Sequence, residues 1–313
     1  FVFLSVPDGY EIPCSGTGTA RFYHRLAPGG GEDRSVAFDL AEDPRPAERH
    51  AMLVLADPQT QNAADMARFH AETVPDVRAT VAGLAGPVAF GVACGDIVYD
   101  DLSLFPDYER AVAAMGVPFF QVVGNHDLDL GATTDETSTR TFSRHFGPRW
   151  YSFDRGAVHY VVLDDVHWHG RGYLGYLDAA QLAWLAADLA TVEPGRTVIA
   201  AIHIPPLGAA QLRPGDDAPH IAESVTNREA LYRLLEPFRA HVVAGHMHET
   251  GHAFAHGVHE HVCGAVCGAW WTGPICWDGT PNGYAVYEVS GESVTWRYKA
   301  TGHDADHQLV LYP

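Results

Sequence analysis

Five apolar runs of this sequence end on side chains that can bind metal ions. In chain order, the runs and these side chains are LVLADPQ with Asp57 and Gln59, VACGDIVYD with Asp96, QVVGNHD with Asn125, IAAIHIPP with His203, and VVAGHMH with His246 and His248. Carboxylate, amide oxygen and imidazole are all ligands of divalent cations. The residue types therefore indicate a site for divalent metal ions. Each short motif alone occurs in polar turns, and the prediction rests on the ordered set.

The elements that must position these side chains follow from the alternation of apolar runs with segments of helical period. The apolar runs lie at 51–56, 87–94, 117–123, 158–163, 198–202 and 242–244. Their alternation predicts a layered α/β or mixed (α+β) fold. In open α/β sheets, ligands bind beyond the carboxyl ends of the strands, so the polar side chains are expected to converge there. Gly95, Gly124 and Gly245 directly precede candidate ligands and permit tight turns.

Helices are expected between the runs. The clearest covers residues 177–192, where three leucines share one face and Asp178 offers an N-cap. Further helices are predicted at 65–84, 107–115 and 228–238. Pro75 should kink or split the first of these, because proline lacks a backbone N–H and clashes with the preceding turn. After residue 250, short runs separated by Gly, Pro and Asn predict antiparallel strands.

Composition and charge limit the classes of function. The chain has 313 residues, of which 47% are hydrophobic, enough for a sizeable core. Acidic residues outnumber basic residues by 39 to 20, which gives a formal net charge of -19. This charge repels phosphate backbones and anionic lipid, so long nucleic acid is not expected as a partner. The apolar runs fall well short of the roughly 20 residues that span a bilayer, so no transmembrane segment is expected.

The start of the chain and its cysteines bear on location. The first residues, FVFLSVPDGYEIP, contain no initiating Met and no basic leader, so we expect the numbering to start inside a longer precursor. Five cysteines are too few for a disulfide scaffold. The spacing of Cys263, Cys267 and Cys276 leaves one disulfide open, which would favour an exported protein. Buried thiols are the alternative.

The ordered motifs ADPQ, GDIVYD, GNHD, AIHIPP and GHMH resemble those of the calcineurin-like metallophosphoesterase superfamily. Other segments, among them SVPDGYEIP, GYLDAAQLAWLAADL and WWTGPICWDGTPNGY, resemble an exported bacterial subfamily with flanking N-terminal β and C-terminal domains. The resemblance implies a β-sheet sandwich flanked by helices, with a dinuclear metal site at the C-terminal ends of strands. It also implies a periplasmic, cell-surface or secreted protein.

The same resemblance divides the chain into three parts. Residues 1–50 are expected to be the remnant of an N-terminal accessory β region and its linker. Residues 51–300 are expected to form the metallophosphoesterase catalytic domain, and residues 301–313 the start of a C-terminal segment.

The resemblance assigns the seven candidate ligands to two divalent metal ions (Mn, Zn, Fe, Ni or Mg). One ion is expected at Asp57, Gln59, Asp96 and His248, and the other at Asp96, Asn125, His203 and His246, with Asp96 as the bridge. The first motif of the superfamily commonly carries Asp-x-His, whereas this sequence has Gln59 in the His position. An amide oxygen is a harder donor than imidazole, so the Gln59 site is expected to prefer Mn or Mg and to be the weaker site.

The resemblance further implies hydrolysis by a metal-bridging hydroxide, with His126 as the general acid. A neighbouring carboxylate should orient that imidazole, and Asp100 is expected in this role, with Asp127 as the alternative. Candidate substrate-binding residues are Tyr99, Trp270, Trp271, Asp278 and Asn282, since exposed aromatic rings could stack on a leaving group. Core packing is the alternative for the two tryptophans. The histidines of HAFAHGVHEH (252–261) and HWHG (167–170) are expected in solvent-exposed loops, at the cleft rim or as adventitious metal ligands.

The expected substrate is a small-molecule or cell-envelope phosphoester. A diester is favoured over a monoester because an acidic protein disfavours highly charged substrates. Alternatives are a phosphomonoesterase or a phosphoprotein phosphatase on the same core, the latter because the ADPQ opening also resembles relatives that act on phosphoproteins. A further alternative is a non-catalytic, metal-bound module of the cell envelope.

Overall fold

The apolar runs form strands of two stacked β-sheets in a computed structural model of the chain. The structure describes residues 1–27, 35–45, 47–84, 88–208 and 221–311. The strands are β1 (Val2–Phe3), β2 (Tyr23–His24), β3 (Arg49–Leu55), β4 (Val88–Cys94), β5 (Phe119–Val122), β6 (Tyr151–Arg155), β7 (Val158–Val162), β8 (Val166–Trp168), β9 (Tyr173–Gly175), β10 (Thr197–Ala201), β11 (Arg239–Ala244), β12 (Gly251–Ala255), β13 (Val258–Val262), β14 (Gly283–Ser290) and β15 (Ser293–Ala300). The helices are α1 (Ala63–Arg68), α2 (Val74–Gly83), α3 (Phe105–Met115), α4 (Asp135–Ser138), α5 (Arg140–Phe146), α6 (Ala179–Leu189) and α7 (Arg228–Leu235), with a π-helical turn at Phe69–Thr73 and 3₁₀ turns at Leu102–Leu104 and Asn125–Asp127.

The two large sheets are mixed. One has the strand order β15-β14-β3-β4-β5, and the other has the order β12-β13-β11-β10-β7-β6. The central pairs β3–β4, β4–β5, β7–β10 and β10–β11 are parallel. Parallel strands direct their carboxyl ends to one edge of a sheet, so the polar residues that follow five of these strands are carried to one rim.

Alternation along the strands builds three hydrophobic layers. In β3, Met52 and Val54 pack into the core between the sheets, while Leu53 and Leu55 pack against the outer helices. Successive side chains of a strand point to opposite faces, and both faces of this strand are covered. The run LVL is therefore apolar throughout, as is typical of a strand buried on both sides. Helices α6 and α7 pack on the outer face of the six-stranded sheet.

The predicted helices begin within two residues of their predicted starts. Asp178 caps α6, where its carboxylate accepts a hydrogen bond from the N–H of Gln181 at 2.7 Å. The segment predicted at 65–84 is split into α1, the π-helical turn and α2, and Pro75 lies in the first turn of α2. Proline removes one backbone donor, which the wider π turn before it accommodates.

The last third of the chain forms strands, as predicted, but their pairing is mixed. β12 pairs antiparallel with β13, and β14 pairs antiparallel with β15 and β3. β13, however, also pairs parallel with β11. All five cysteines are free thiols, and only Cys14 is exposed. Among the described residues, none of the helices has the length and apolar character needed to cross a bilayer.

Candidate metal centre

The seven predicted ligands lie together at the rim where the carboxyl ends of both sheets meet. The ligand atoms of Asp96, His203 and His246 all lie within 4.8 Å of one another. Asn125 Oδ1 lies 3.0 Å from His203 Nε2, and Gln59 Nε2 donates to Asp96 Oδ2 at 2.9 Å. On the other side, His248 Nε2 lies 3.9 Å from Asp57 Oδ1. These contacts link the ends of five strands into one constellation.

The backbone that carries these side chains is strained. Five of the predicted ligands are non-glycine residues in the left-handed region, with φ of 49° at Asp57, 41° at Gln59, 48° at Asp96, 70° at His246 and 49° at His248. Non-glycine residues rarely adopt this region, and such strain concentrates at functional sites. The surrounding packing must therefore hold this conformation against its intrinsic cost.

Two glycines allow the loops to approach each other. A Cβ atom on Gly124 would lie 1.9 Å from the backbone nitrogen of Asp96. Gly95 has φ of 79°, and a Cβ atom there would lie 2.4 Å from the His203 ring. Glycine is therefore required at both positions, for close backbone approach at Gly124 and also for the positive φ at Gly95.

Backbone carbonyls fix which nitrogen of each histidine can bind a metal. His203 Nδ1 donates to the Cys94 carbonyl at 2.8 Å, His246 Nε2 donates to the Ala222 carbonyl at 2.9 Å, and His248 Nδ1 donates to the Gly268 carbonyl at 2.6 Å. Each hydrogen bond leaves the opposite ring nitrogen with a free lone pair, which is the arrangement found behind metal-binding histidines.

These lone pairs are directed at other acceptors. His203 Nε2 lies 3.2 Å from His246 Nδ1 and 3.3 Å from Asp96 Oδ1. Because none of these atoms has a proton to share once the carbonyl bonds are made, the contacts repel unless a cation lies among them. The donor set present here therefore fits divalent metal ions.

Burial gives the centre its electrostatic character. Asp57 and Asp96 are almost fully buried. Burial and the neighbouring Asp96 carboxylate raise the pKa of Asp57 well above its usual range. Burial also lowers the pKa of His246 to about 3 and lowers the pKa of His203 and of His248. Buried carboxylates surrounded by neutral imidazoles need an added positive charge, which metal ions would supply.

The predicted general acid lies beside the centre and is held by three contacts. His126 Nδ1 lies 2.8 Å from Asp100 Oδ1, and the Tyr99 ring stacks on the imidazole with centroids 4.1 Å apart. The backbone N–H of His126 donates to Asp96 Oδ1 at 2.9 Å. The structure thus places Asp100, rather than the alternative Asp127, against the imidazole.

Asp127 supports the loops instead. Its carboxylate accepts the backbone N–H groups of Ile97, Val98 and Gly124. Asp165 acts in the same way at the other sheet, where it accepts the N–H groups of His203 and Ile204 at 3.1 and 3.0 Å. Their positions in the segments that follow β5 and β7 were visible in the sequence, but their bonding to the loops after β4 and β10 was not.

The predicted substrate-binding residues separate into different environments. Trp270 lies beside His248, with ring centroids 5.2 Å apart. Trp271 is buried and donates its indole N–H to the Pro58 carbonyl at 2.9 Å. The expectation of an exposed ring is therefore wrong for Trp271, because this hydrogen bond and the packing draw it beneath the ADPQ loop. Asp278 accepts the backbone N–H of Thr250 at 2.9 Å, which ties two loops together. Asn282 packs against Gly268. A Cβ atom on this glycine would lie 2.2 Å from Asn282 Oδ1.

Most of the chain matches known families. Residues 52–250 match the model for calcineurin-like phosphoesterase, and residues 260–313 match the model for the C terminal of calcineurin-like phosphoesterase. The chain belongs to the calcineurin-like phosphoesterase family. The superfamily expected from the five motifs is thereby confirmed.

Relatives of this calcineurin-like phosphoesterase have different named activities. A cAMP/cGMP dual specificity phosphodiesterase of Mycobacterium tuberculosis is 31% identical over 168 residues, which are 51% of this chain and 46% of that protein. The human serine/threonine-protein phosphatase CPPED1 is 26% identical over 220 residues, which are 67% of each protein. The chain thus spans less than half of the mycobacterial relative.

The fold is shared with a solved structure, a dimetal phosphatase from Danio rerio. The two structures have a TM-score of 0.57 at 16% sequence identity, and the match covers 80% of this chain and 96% of that one. This confirms the expected sandwich flanked by helices.

Proposed function

We propose that this calcineurin-like phosphoesterase hydrolyses phosphoesters with two divalent metal ions bound at the candidate centre. The proposal rests on three imidazoles, those of His203, His246 and His248. Each donates one ring N–H to a backbone carbonyl, which leaves its other nitrogen free to face the buried oxygen ligands. Asp57, Gln59, Asp96 and His248 would hold one ion, and Asp96, Asn125, His203 and His246 the other. When bound, such ions lower the pKa of water and neutralise phosphoryl oxygens.

His126 is the proposed proton donor to the leaving oxygen. Its Nδ1 faces the Asp100 carboxylate at 2.8 Å, so Nε2 is the ring nitrogen left to face a leaving oxygen. The stacked Tyr99 ring restricts rotation of the imidazole. The side chain of His126 is 22% exposed, which lets a substrate reach it. Asp100 and Tyr99 are therefore positioning residues for this proton transfer.

Gln59 makes the two proposed metal sites unequal. Its amide nitrogen donates to Asp96 Oδ2, which leaves Oε1 as its only ligand atom. Oε1 also lies 3.6 Å from the thiol of Cys267. A neutral oxygen donor in place of imidazole favours Mn²⁺ or Mg²⁺ over Zn²⁺ or Ni²⁺. The Gln59 site is therefore the weaker of the two for Zn²⁺.

A phosphodiester is the proposed substrate class. The net charge of -19 disfavours a dianionic monoester more than a monoanionic diester. The mycobacterial relative, named a phosphodiesterase, points in the same direction. The human relative, named a protein phosphatase, makes phosphoprotein the second candidate.

A substrate panel tests the proposal. The chain, freed of metal by chelator and resupplied with Mn²⁺, Zn²⁺, Fe²⁺ or Ni²⁺, should hydrolyse bis(p-nitrophenyl) phosphate faster than p-nitrophenyl phosphate or a phosphoserine peptide. Faster release from the peptide would replace the diester by the second candidate. Lack of hydrolysis of all three with every metal would reject the enzymatic function and favour a non-catalytic, metal-bound module.

A further inference from the structure

A second group of imidazoles lies within the six-stranded sheet, apart from the candidate metal centre. The histidine cluster consists of His241 on β11, His252 on β12, and His259 and His261 on β13. His241 lies three residues before Ala244, the end of β11, so about 10 Å of strand separates the cluster from the loop that carries His246. None of the four histidines belongs to the ligand set proposed above.

Strand register brings the four side chains to one face. His241 is paired with His259 across β11 and β13, and His252 is paired with His261 across β12 and β13. Residues two apart on a strand share a face, so His259 and His261 point the same way. Val243, paired with His261, belongs to the core between the two sheets, so the cluster lies on the inner face of the sandwich.

The nitrogen atoms are spaced as metal ligands are. His241 Nδ1 lies 3.0 Å from His261 Nε2, and His252 Nδ1 lies 3.1 Å from His259 Nε2. One nitrogen each from His241, His259 and His261 lies within 4.8 Å of the other two. Tetrahedral Zn²⁺ with bonds of about 2.05 Å needs nitrogens about 3.3 Å apart. Small rotations of the rings would satisfy this requirement.

The cluster is enclosed on the side of the other sheet. The ring of Trp296 on β15 lies 4.5 Å from that of His261 and 5.0 Å from that of His259, between centroids. A cavity of about 360 Å³ borders His252, His261 and Trp296. His261 is 1% exposed, and within the described residues its Nδ1 is buried with no hydrogen-bond partner. A buried polar atom left in this state is costly unless a ligand engages it.

We propose that the histidine cluster is a further metal site, which takes a borderline transition-metal ion such as Zn²⁺, Ni²⁺ or Cu²⁺. Imidazole is a good donor for these ions, whereas Mg²⁺, Ca²⁺ and Mn²⁺ prefer the oxygen ligands that the four rings do not offer. A metal held by β11, β12 and β13 ties three strands together beneath Trp296.

The electrostatic state of the rings favours metal binding. Burial and the neighbouring imidazoles lower the pKa of His259 to about 4 and that of His261 to about 2. The rings are therefore neutral near pH 7, and a metal ion need not displace protons from them. The alternative is a metal-free set of hydrogen-bonded neutral imidazoles.

A metal titration distinguishes a metal site from a metal-free set of hydrogen-bonded imidazoles. The whole chain, stripped by chelator, is titrated with Zn²⁺ and its bound metal is counted. The His259→Gln/His261→Gln variant should bind one Zn²⁺ fewer per chain than the unmodified protein, because two of the four imidazoles are removed. His256→Gln is the matched control, because His256 lies in the turn of the same β12–β13 hairpin, outside the cluster. It should bind as many ions as the unmodified protein.

Two further arms keep this result independent of the candidate metal centre and of folding. In an Asp96→Asn background, the cluster variant should still lose one ion, whether or not the centre binds metal or hydrolyses phosphoesters. Should the double variant not fold, the milder His252→Gln variant, which changes an exposed ring, takes its place. Cu²⁺ is added to this variant and to the unmodified protein, and the quenching of tryptophan fluorescence is compared. Equal stoichiometry and affinity in cluster variants and unmodified protein, or quenching unaffected by His252→Gln, would overturn the proposal.

Discussion

The candidate metal centre and the histidine cluster both gather imidazoles, but the chain builds them in opposite ways. The centre lies on loops after strands, where five predicted ligands have positive φ and carboxylates accompany the histidines. The cluster lies on regular strands, where register alone aligns four rings. Loops can aim different ligand types at one point at the cost of strain, whereas strands repeat one ligand type at fixed spacing without strain.

The difference bears on function. Mixed oxygen and nitrogen ligands at an open rim suit ions that must also meet a substrate, whereas an all-nitrogen set on the inner face of one sheet suits a structural ion. Removing ligands from the centre should therefore affect turnover most, and removing them from the cluster should affect metal content and stability.

The largest effect is expected from Asp96→Asn. This carboxylate contacts His203, Gln59 and the backbone N–H of His126, so all parts of the centre depend on it. Turnover of bis(p-nitrophenyl) phosphate should fall by about 1000-fold. Asp101→Asn, at an exposed carboxylate that caps the nearby 3₁₀ turn, serves as the control and should retain activity. If the turnover of Asp96→Asn stayed within tenfold of that of the unmodified protein, Asp96 would not be the ligand shared by the two metal ions.

His126→Asn should reduce turnover by about 100-fold or more while metal content stays unchanged. The imidazole lies beside the centre and contacts Asp100, but it is not in the ligand set. Elemental analysis of the same sample separates loss of proton transfer from loss of metal. His70→Asn, which removes a partly exposed imidazole paired with Asp107, is the control. Unchanged turnover would exclude His126 as the general acid.

His159, a buried histidine outside both groups, sharpens the comparison because its partners are carboxylates. Burial opposes the charge on His159, but hydrogen bonds to Asp154 and Asp188 raise its pKa to about 9. The folded protein thus holds a proton that the unfolded chain releases near its usual pKa of about 6.5. The stabilisation is complete below that pH and is lost as the pH rises through about 9.

Denaturant unfolding measures this loss. Between pH 6.5 and 9.5, the free energy of unfolding should fall by on the order of 2 kcal/mol more in the unmodified protein than in His159→Gln. Parallel pH profiles for the two proteins would show that His159 does not hold the proton.

The smallest effect concerns the Gln59 site. Gln59→His replaces an amide oxygen by an imidazole and should raise retention of Zn²⁺ by about tenfold on dialysis against chelator. In the unmodified protein, one Zn²⁺ should leave the centre before the other. Loss of both at the same chelator concentration in both proteins would contradict unequal sites.

The sequence predicted the elements better than their pairing. The helix predicted at 177–192 is observed at Ala179–Leu189 with its predicted cap, because capping and periodicity are local properties. The histidines of 252–261 were expected in exposed loops, and this was wrong: most lie on β12 and β13. Histidine counts as polar, so the alternation in VHEHV (258–262) did not indicate an inward face.

The sequence by itself determined the order and chemical type of the candidate ligands, since each follows a strand that any observer can recognise from its apolar run. The tertiary structure decided what distant parts of the chain supply: the carbonyls that set the histidine tautomers, the carboxylate beside His126, and the register that gathers the histidine cluster. Local pattern fixes where a strand ends, but only packing of strands far apart in sequence fixes which ends and faces meet.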